Sequence, residues 1–133
     1  MSNLRLINET TVSASTSSVD VTDVFSADFD IYKITTNNFS TVGTTQTALD
    51  LRFINASGSV ITASEYDYAY LNAKANTTFA EVRATNSSFI DNFFGVPDQS
   101  PEGASSVSYI FNPFSSSSYT FAINQSSRAE AGN

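Results

Sequence analysis

Short runs in which apolar and polar side chains alternate recur along this chain, and this period-two pattern constrains its fold more than any other feature. Successive side chains of a β-strand point to opposite faces of a sheet, so alternation is typical of a strand with one buried face. The clearest run is Ala48–Phe53, which places Leu49, Leu51 and Phe53 on one face. Ser, Thr and Asn fill most polar positions, and these residues favour turns and strands over helix interiors.

The alternating runs predict about eight strands. Asn55 to Gly58 turn the chain into the next run, which is the best hairpin signal in the sequence, and residues 112–118 are predicted to join the last two strands as another hairpin. The alternation breaks near Lys33, which a bulge there or burial of the strand on both faces would explain. Residues 79–83 and 89–94 are interpreted as extended loop with weak strands. The predicted strands cover residues 4–7 (continuing weakly to 12), 19–21, 29–35, 48–53, 60–61, 66–71, 107–111 and 119–123.

No helix alternates with these strands, so a parallel sheet with crossover helices is not expected. The prediction is an all-β fold, an antiparallel β-sandwich with a jelly-roll arrangement. A chain of 133 residues is one ordinary domain. We assign residues 1–125 to a single β-sandwich domain and residues 126–133 to a polar C-terminal tail.

The charge balance argues against two classes of partner. The chain has 13 acidic and 6 basic residues, a net charge of −7. Nucleic-acid binding depends on Lys and Arg that displace counterions, and attachment to anionic membranes also needs cations, so neither is expected. No run approaches the roughly 20 apolar residues that span a bilayer. The segment Met1–Leu6 has no signal-peptide pattern, so a soluble protein made in the cytoplasm is expected.

The absence of His and Cys removes most catalytic designs, because no imidazole base, thiolate nucleophile or usual zinc ligand exists. A carboxylate pair is the one remaining catalytic option. No acidic cluster has the spacing of a calcium loop. We therefore predict a protein that is not an enzyme and that needs no cofactor and no metal. The carboxylate pairs considered are Asp28 with Asp30, Glu65 with Asp67, and Asp98 with Glu102.

Three tyrosines form a stripe in one predicted strand. Tyr66, Tyr68 and Tyr70 alternate with other residues and should share one sheet face. Such a stripe can pack across the sandwich, anchor a protein partner or stack on sugar rings, since phenols combine a large apolar ring with a polar tip. The stripe is therefore a candidate interface with these alternatives open.

A second candidate interface lies beside a turn. Phe93, Phe94 and Val96 flank Gly95 and precede Pro97. An exposed apolar loop tip would suit docking onto a larger partner. The alternative is that these side chains cap one open end of the sandwich.

The segments 63–72, 101–103 and 109–121 resemble small virion structural proteins of marine tailed bacteriophages, especially cyanophages. The resemblance covers roughly the C-terminal half of the chain. It implies a role on the particle surface, with the major capsid protein or other virion proteins as partners and self-association into a homo-oligomer. It supplies no catalytic residue to transfer to this chain.

Together these points predict a capsid decoration (cement) protein, bound to the outer face of the phage head and located in the virion. The alternative is a tail or fibre module that recognises host surface glycans, for which the tyrosine stripe would be the platform. A carboxylate-based hydrolase is a third reading, and it requires two acids about 5–10 Å apart in a cleft.

Overall fold

The computed structural model describes residues 4–40, 47–74, 79–96 and 103–128. Every regular element in these ranges is a β-strand and every strand pair is antiparallel, which confirms the predicted all-β fold. The strands are β1 Ile31–Phe39, β2 Thr47–Leu51, β3 Tyr66–Asn72, β4 Ala80–Ser87, β5 Ile90–Val96, β6 Ala104–Phe111 and β7 Phe121–Ser127.

Strand β6 is the centre of the largest sheet, whose order is β1-β6-β7. The other described pairs are β2-β5 and β3-β4. Phe111 faces Phe121 across the β6-β7 ladder, so the last two strands form the predicted hairpin, with a connection of residues 112–120 and not 112–118 because β7 begins at Phe121. A jelly-roll order would require these sheets to be linked in a particular sequence of strands, and it stays a prediction.

A small apolar core lies between the three-stranded sheet and the β2-β5 pair, as in a sandwich. Tyr32 of β1, Ile110 of β6 and Phe93 of β5 are buried and form one cluster. The sheet face that carries Tyr32 and Ile110 is called the inner face below. Partly buried side chains surround this cluster, namely Phe25, Ile34, Leu51, Phe53, Ile90, Phe94 and Ala122.

Hydrogen bonds satisfy the polar part of the inner face. Ser108 is fully buried, and its hydroxyl donates to Oδ1 of Asn124 on β7 at 2.7 Å. The side-chain amide of Asn124 in turn donates to the backbone carbonyl of Phe93 on β5. This chain of bonds joins the two sheets through their core, where an unpaired polar group would be costly.

Each of the three sheets contains one register shift, and each shift has an asparagine in the left-handed region. At each shift one residue faces two or three residues of the partner strand, as in a β-bulge. Asparagine tolerates positive φ better than other residues with a Cβ. The asparagines are Asn38 (φ 53°) in β1, Asn86 (φ 55°) in β4 and Asn92 (φ 50°) in β5.

The backbone N–H of each bulge asparagine has the same kind of partner. It donates to a side-chain oxygen of the single residue that faces the bulge, so an amide removed from the ladder is still satisfied. The bonds are Asn38 to Ser105 Oγ at 3.4 Å, Asn86 to Asp67 Oδ1 at 2.9 Å, and Asn92 to Asp50 Oδ1 at 3.3 Å.

The Asn55–Gly58 turn is confirmed. The N–H of Asn55 bonds to the carbonyl of Ser59, and Ile54 pairs with Val60 in an isolated bridge. Gly58 has a φ of 79°, a conformation that residues with a Cβ rarely adopt.

Several strand predictions are wrong. Residues 4–7 and 19–21 form no strand, because no other strand of the described chain pairs with them. The β1 bulge lies at Asn38 and not near Lys33. Residues 80–87 and 90–96 form full strands, β4 and β5, where extended loop with weak strands is predicted over 79–83 and 89–94. The bulge at Asn92 interrupts the alternation of β5, whereas β4 alternates up to its bulge but has only the small side chains of Ala80, Val82 and Ala84 on its apolar face. Strand β7 continues to Ser127, past the predicted start of the tail at residue 126.

A substitution pair tests the bulge geometry. Replacing Asn86 with Ala should lower the free energy of unfolding by about 1–2 kcal/mol, because alanine is strained at positive φ. The matched change Asn86→Gly keeps that conformation without strain and should leave stability within about 0.5 kcal/mol of wild type. Urea unfolding followed by circular dichroism measures both. Equal losses in the two variants would contradict this role for Asn86.

Candidate binding sites

Tyr66 belongs to the interior of the fold. Its side chain is buried, its hydroxyl donates to the carbonyl of Ile61 at 3.1 Å, and its oxygen accepts the N–H of Phe53 at 3.0 Å. Its ring also stacks on that of Phe53. Tyr66 thereby fixes the segment between β2 and β3, and it has no free face for a partner in the isolated chain.

Tyr68 and Tyr70, called the tyrosine pair below, are half-buried side by side on β3. Their rings are nearly parallel, with an interplanar angle of 15° and centroids 6.3 Å apart. The hydroxyl of Tyr70 donates to Oδ2 of Asp91 at 3.3 Å. The structure therefore keeps two of the three predicted tyrosines together at an accessible position.

Two carboxylates, Asp50 of β2 and Asp91 of β5, lie close enough to the tyrosine pair to shift the pKa of its phenols. Burial raises the pKa of Tyr68, and the negative charges of Asp91 and Asp50 raise it further by opposing the phenolate. Burial and Asp91 likewise raise the pKa of Tyr70, while a hydrogen bond from Asn92 lowers it. Both phenols stay neutral throughout the physiological range and remain hydrogen-bond donors.

A shallow cleft of about 590 Å³ borders the tyrosine pair across the β3-β4 ladder. It combines an aromatic ring with groups of both charges, since Tyr68, Asp67 and Arg83 all line it. Arg83 pairs with Ala69, so its side chain lies on the sheet face opposite the rings of the tyrosine pair.

Sequence reasoning missed the part of this site that comes from β2 and β5. Asp50 lies on the polar side of the Ala48–Phe53 run, but nothing in the sequence pairs that run with residues 90–96. Asp91 and Asn92 fall in a segment interpreted as loop, and the side-chain Oδ1 of Asn92 is buried without a hydrogen-bond partner in the described chain.

The second predicted interface is not a loop tip. Phe93 is 5% exposed and belongs to the core, and Phe94 packs against it with ring centroids 4.7 Å apart. Val96 pairs with Thr47 at the end of β5, and its side chain lies outside the described part of the structure. Phe93 and Phe94 therefore pack in the interior of the fold.

A larger apolar surface lies on the side of the three-stranded sheet opposite the core. We call this surface, formed by the outward side chains of β1, β6 and β7, the outer face. Phe121 and Ile123 are the most exposed of its apolar residues, at 61% and 60%. In register, the rows of the outer face are Ile31, Phe111 and Phe121; Lys33, Tyr109 and Ile123; and Thr35, Val107 and Gln125.

A second unpartnered apolar element precedes the sheet. Residues 4–23, called the N-terminal arm below, are exposed throughout and contain no strand. Leu4 is 72% exposed and Leu6 is 77% exposed. The described hydrogen bonds of the arm are local, each joining residues two positions apart: Thr10 to Asn8, and Thr16 with Ser18.

Two of the three carboxylate pairs considered above, Asp28 with Asp30 and Glu65 with Asp67, lie in the described part of the chain. Asp67 accepts the N–H of Asn86, which gives it a role in the bulge. Asp98 and Glu102 lie outside the described residues. Within the described ranges, no three Asp or Glu side chains come together in a way that could hold a metal ion. The same ranges contain no helix that could cross a membrane.

Comparison with protein-family models, with curated proteins and with solved structures gives no match. The geometry of the tyrosine pair, the outer face and the N-terminal arm is therefore what bears on the function.

Proposed function

We propose that this protein is a structural component of a phage virion, a decoration protein that binds the exterior surface of the capsid. The observation that carries the proposal is the amount of apolar surface that the chain leaves uncovered. The outer face and the N-terminal arm together expose large side chains in two separate places. A soluble monomer rarely exposes contiguous apolar patches of this kind unless a partner covers them.

The chemistry of the chain agrees with a role in assembly. Its charged residues are few and mostly acidic, so a partner is recognised through apolar contacts and neutral hydrogen bonds. Tyr109 and the phenylalanines of the outer face are of the residue types that dominate binding energy at protein interfaces. The major capsid protein is the proposed partner, in keeping with the resemblance of the C-terminal half to virion proteins.

Binding to undecorated phage heads tests this proposal. Purified protein should co-sediment with heads and should give regular density over the head lattice in a reconstruction. Ile123→Ser should weaken binding at least several-fold, because it removes a central apolar contact of the outer face. Leu71→Ser is the matched control, since Leu71 is also 60% exposed but lies on β3, away from that face.

Two results would contradict the decoration role. Wild-type protein that stays in the supernatant at high concentration has no affinity for the lattice. Density confined to the tail would place the protein elsewhere on the particle.

A second candidate function, glycan recognition by a tail or fibre module, is favoured by the tyrosine pair. Stacked and accessible aromatic rings can pack on sugar rings. Asp50 and Asp91 lie close enough to the pair to raise the pKa of Tyr68, and carboxylates are acceptors for sugar hydroxyls.

A glycan array tests this candidate. If the site binds sugars, Tyr68→Ala should abolish the signal, because it removes half of the stacked platform. Tyr119→Ala is the control, since Tyr119 is 85% exposed and makes no described contact with the pair. A blank array for wild-type protein at high concentration would exclude the candidate, and equal binding by both variants would move the site away from the tyrosine pair.

A further inference from the structure

The chain carries two exposed apolar elements that complement each other. The outer face is a sheet surface that the described chain leaves exposed, and the N-terminal arm is an exposed segment that pairs with no described strand. We propose that the N-terminal arm of one copy lies across the outer face of a second copy. The occupant of the outer face is thus a segment of this same chain, supplied in trans.

The sequence of the arm suits a sheet surface. In an extended conformation Leu4, Leu6 and Val12 point to one side, because they are separated by even numbers of residues. Their exposed fractions are 72%, 77% and 38%. Twenty extended residues reach about 65 Å, whereas a strand of seven residues, such as β7, spans about 23 Å. The arm is long enough to leave one copy and cross the outer face of the next.

The root of the arm is attached on the side of the sheet opposite its own outer face. The N–H of Ser26 donates to the hydroxyl oxygen of Tyr32 at 2.7 Å, and that hydroxyl donates back to the carbonyl of Ser26 at 3.0 Å. The ring of Phe25 packs edge-on against Tyr32 with centroids 4.8 Å apart. Because Tyr32 is on the inner face, the arm leaves the domain on the core side of the sheet. A neighbouring copy can receive it without the chain turning around the end of its own sheet.

Charge is also complementary. The arm contains Glu9, Asp20 and Asp23 against a single Arg5, so its formal charge is −2. The three rows of the outer face contain no carboxylate, and Lys33 lies in the middle row beside Tyr109. In a chain with a net charge of −7, this sheet surface is a place where an acidic arm meets no like charge.

This inference narrows the assembly role proposed above: it assigns the outer face to contact between copies, so that a capsid would be contacted through other surfaces of the assembled copies, and it does not depend on binding to a capsid. Contact between free copies in solution supports it even if heads are never bound. If heads bind a protein whose arm and outer face never meet, the inference fails while the decoration role stands.

Disulfide capture between two separately made variants tests the trans contact, and the chain is suited to it because it has no native cysteine. Full-length Leu6→Cys protein, carrying an affinity tag, is mixed with untagged Ile123→Cys protein and oxidised. We expect the mixed disulfide to form several-fold faster than with Leu71→Cys protein, whose new thiol has the same exposure away from the outer face. The arm variants Leu4→Cys and Val12→Cys are tested in the same way, because they detect contacts in which the arm is shifted along the outer face.

The results that would overturn the inference are specific. One is that none of the three arm positions captures residue 123 faster than residue 71. Another is that a double variant, with cysteines at positions 6 and 123 of one chain, closes an intramolecular disulfide at a rate independent of concentration. That rate would show that the arm covers its own sheet.

Discussion

The rest of the structure depends on the pairing of β6 with strands on both of its edges. β6 holds β1 and β7 in register, so each row of three residues shares one face of the sheet. Its inner side chains are buried, and Ser108 extends the link through Asn124 to the backbone of β5. Its outer side chains, with those of β1 and β7, form an apolar surface that the described chain does not cover. One strand thus fixes both the interior and the surface proposed for assembly.

The sequence predicts the strands that alternate without interruption and fails where a bulge breaks the alternation. β3 follows its predicted pattern, with Tyr66, Tyr68 and Tyr70 on one face. β5 is hidden because the bulge at Asn92 breaks its alternation, and β4 is hidden because its apolar side chains are small and its bulge at Asn86 lies near its end. The signal that could have found them is an asparagine that faces an Asp or Ser on another strand, but identifying that partner requires knowledge of the strand pairing. The positive φ at these bulge positions explains part of the abundance of Asn in this chain.

The candidate site was predictable to a similar extent. Period-two spacing correctly places Tyr68 and Tyr70 side by side. It also assigns Tyr66 to the candidate interface, although hydrogen bonds to Phe53 and Ile61 hold that side chain in the interior. Asp50 and Asp91 meet the tyrosine pair through pairing between β2 and β5 and proximity to β3, which are long-range contacts without a local signal. The N-terminal arm shows the converse case, because its alternation is typical of a strand although none of the seven described strands pairs with it. Period-two alternation indicates that a segment can pack against a sheet, but it does not indicate whether that sheet belongs to the same copy of the chain or to another.

The most direct test of the central claim, that a second copy completes the apolar surface of this fold, is hydroxyl-radical footprinting over a range of protein concentrations. Side-chain oxidation reports the exposure of Leu6 on the arm and of Phe121 and Ile123 on the outer face, with Leu71 as an internal reference. The account predicts that all three are reactive in dilute protein and become protected together as concentration rises, while Leu71 stays reactive. Reactivity that never changes, or protection that is already complete in dilute protein, would contradict it.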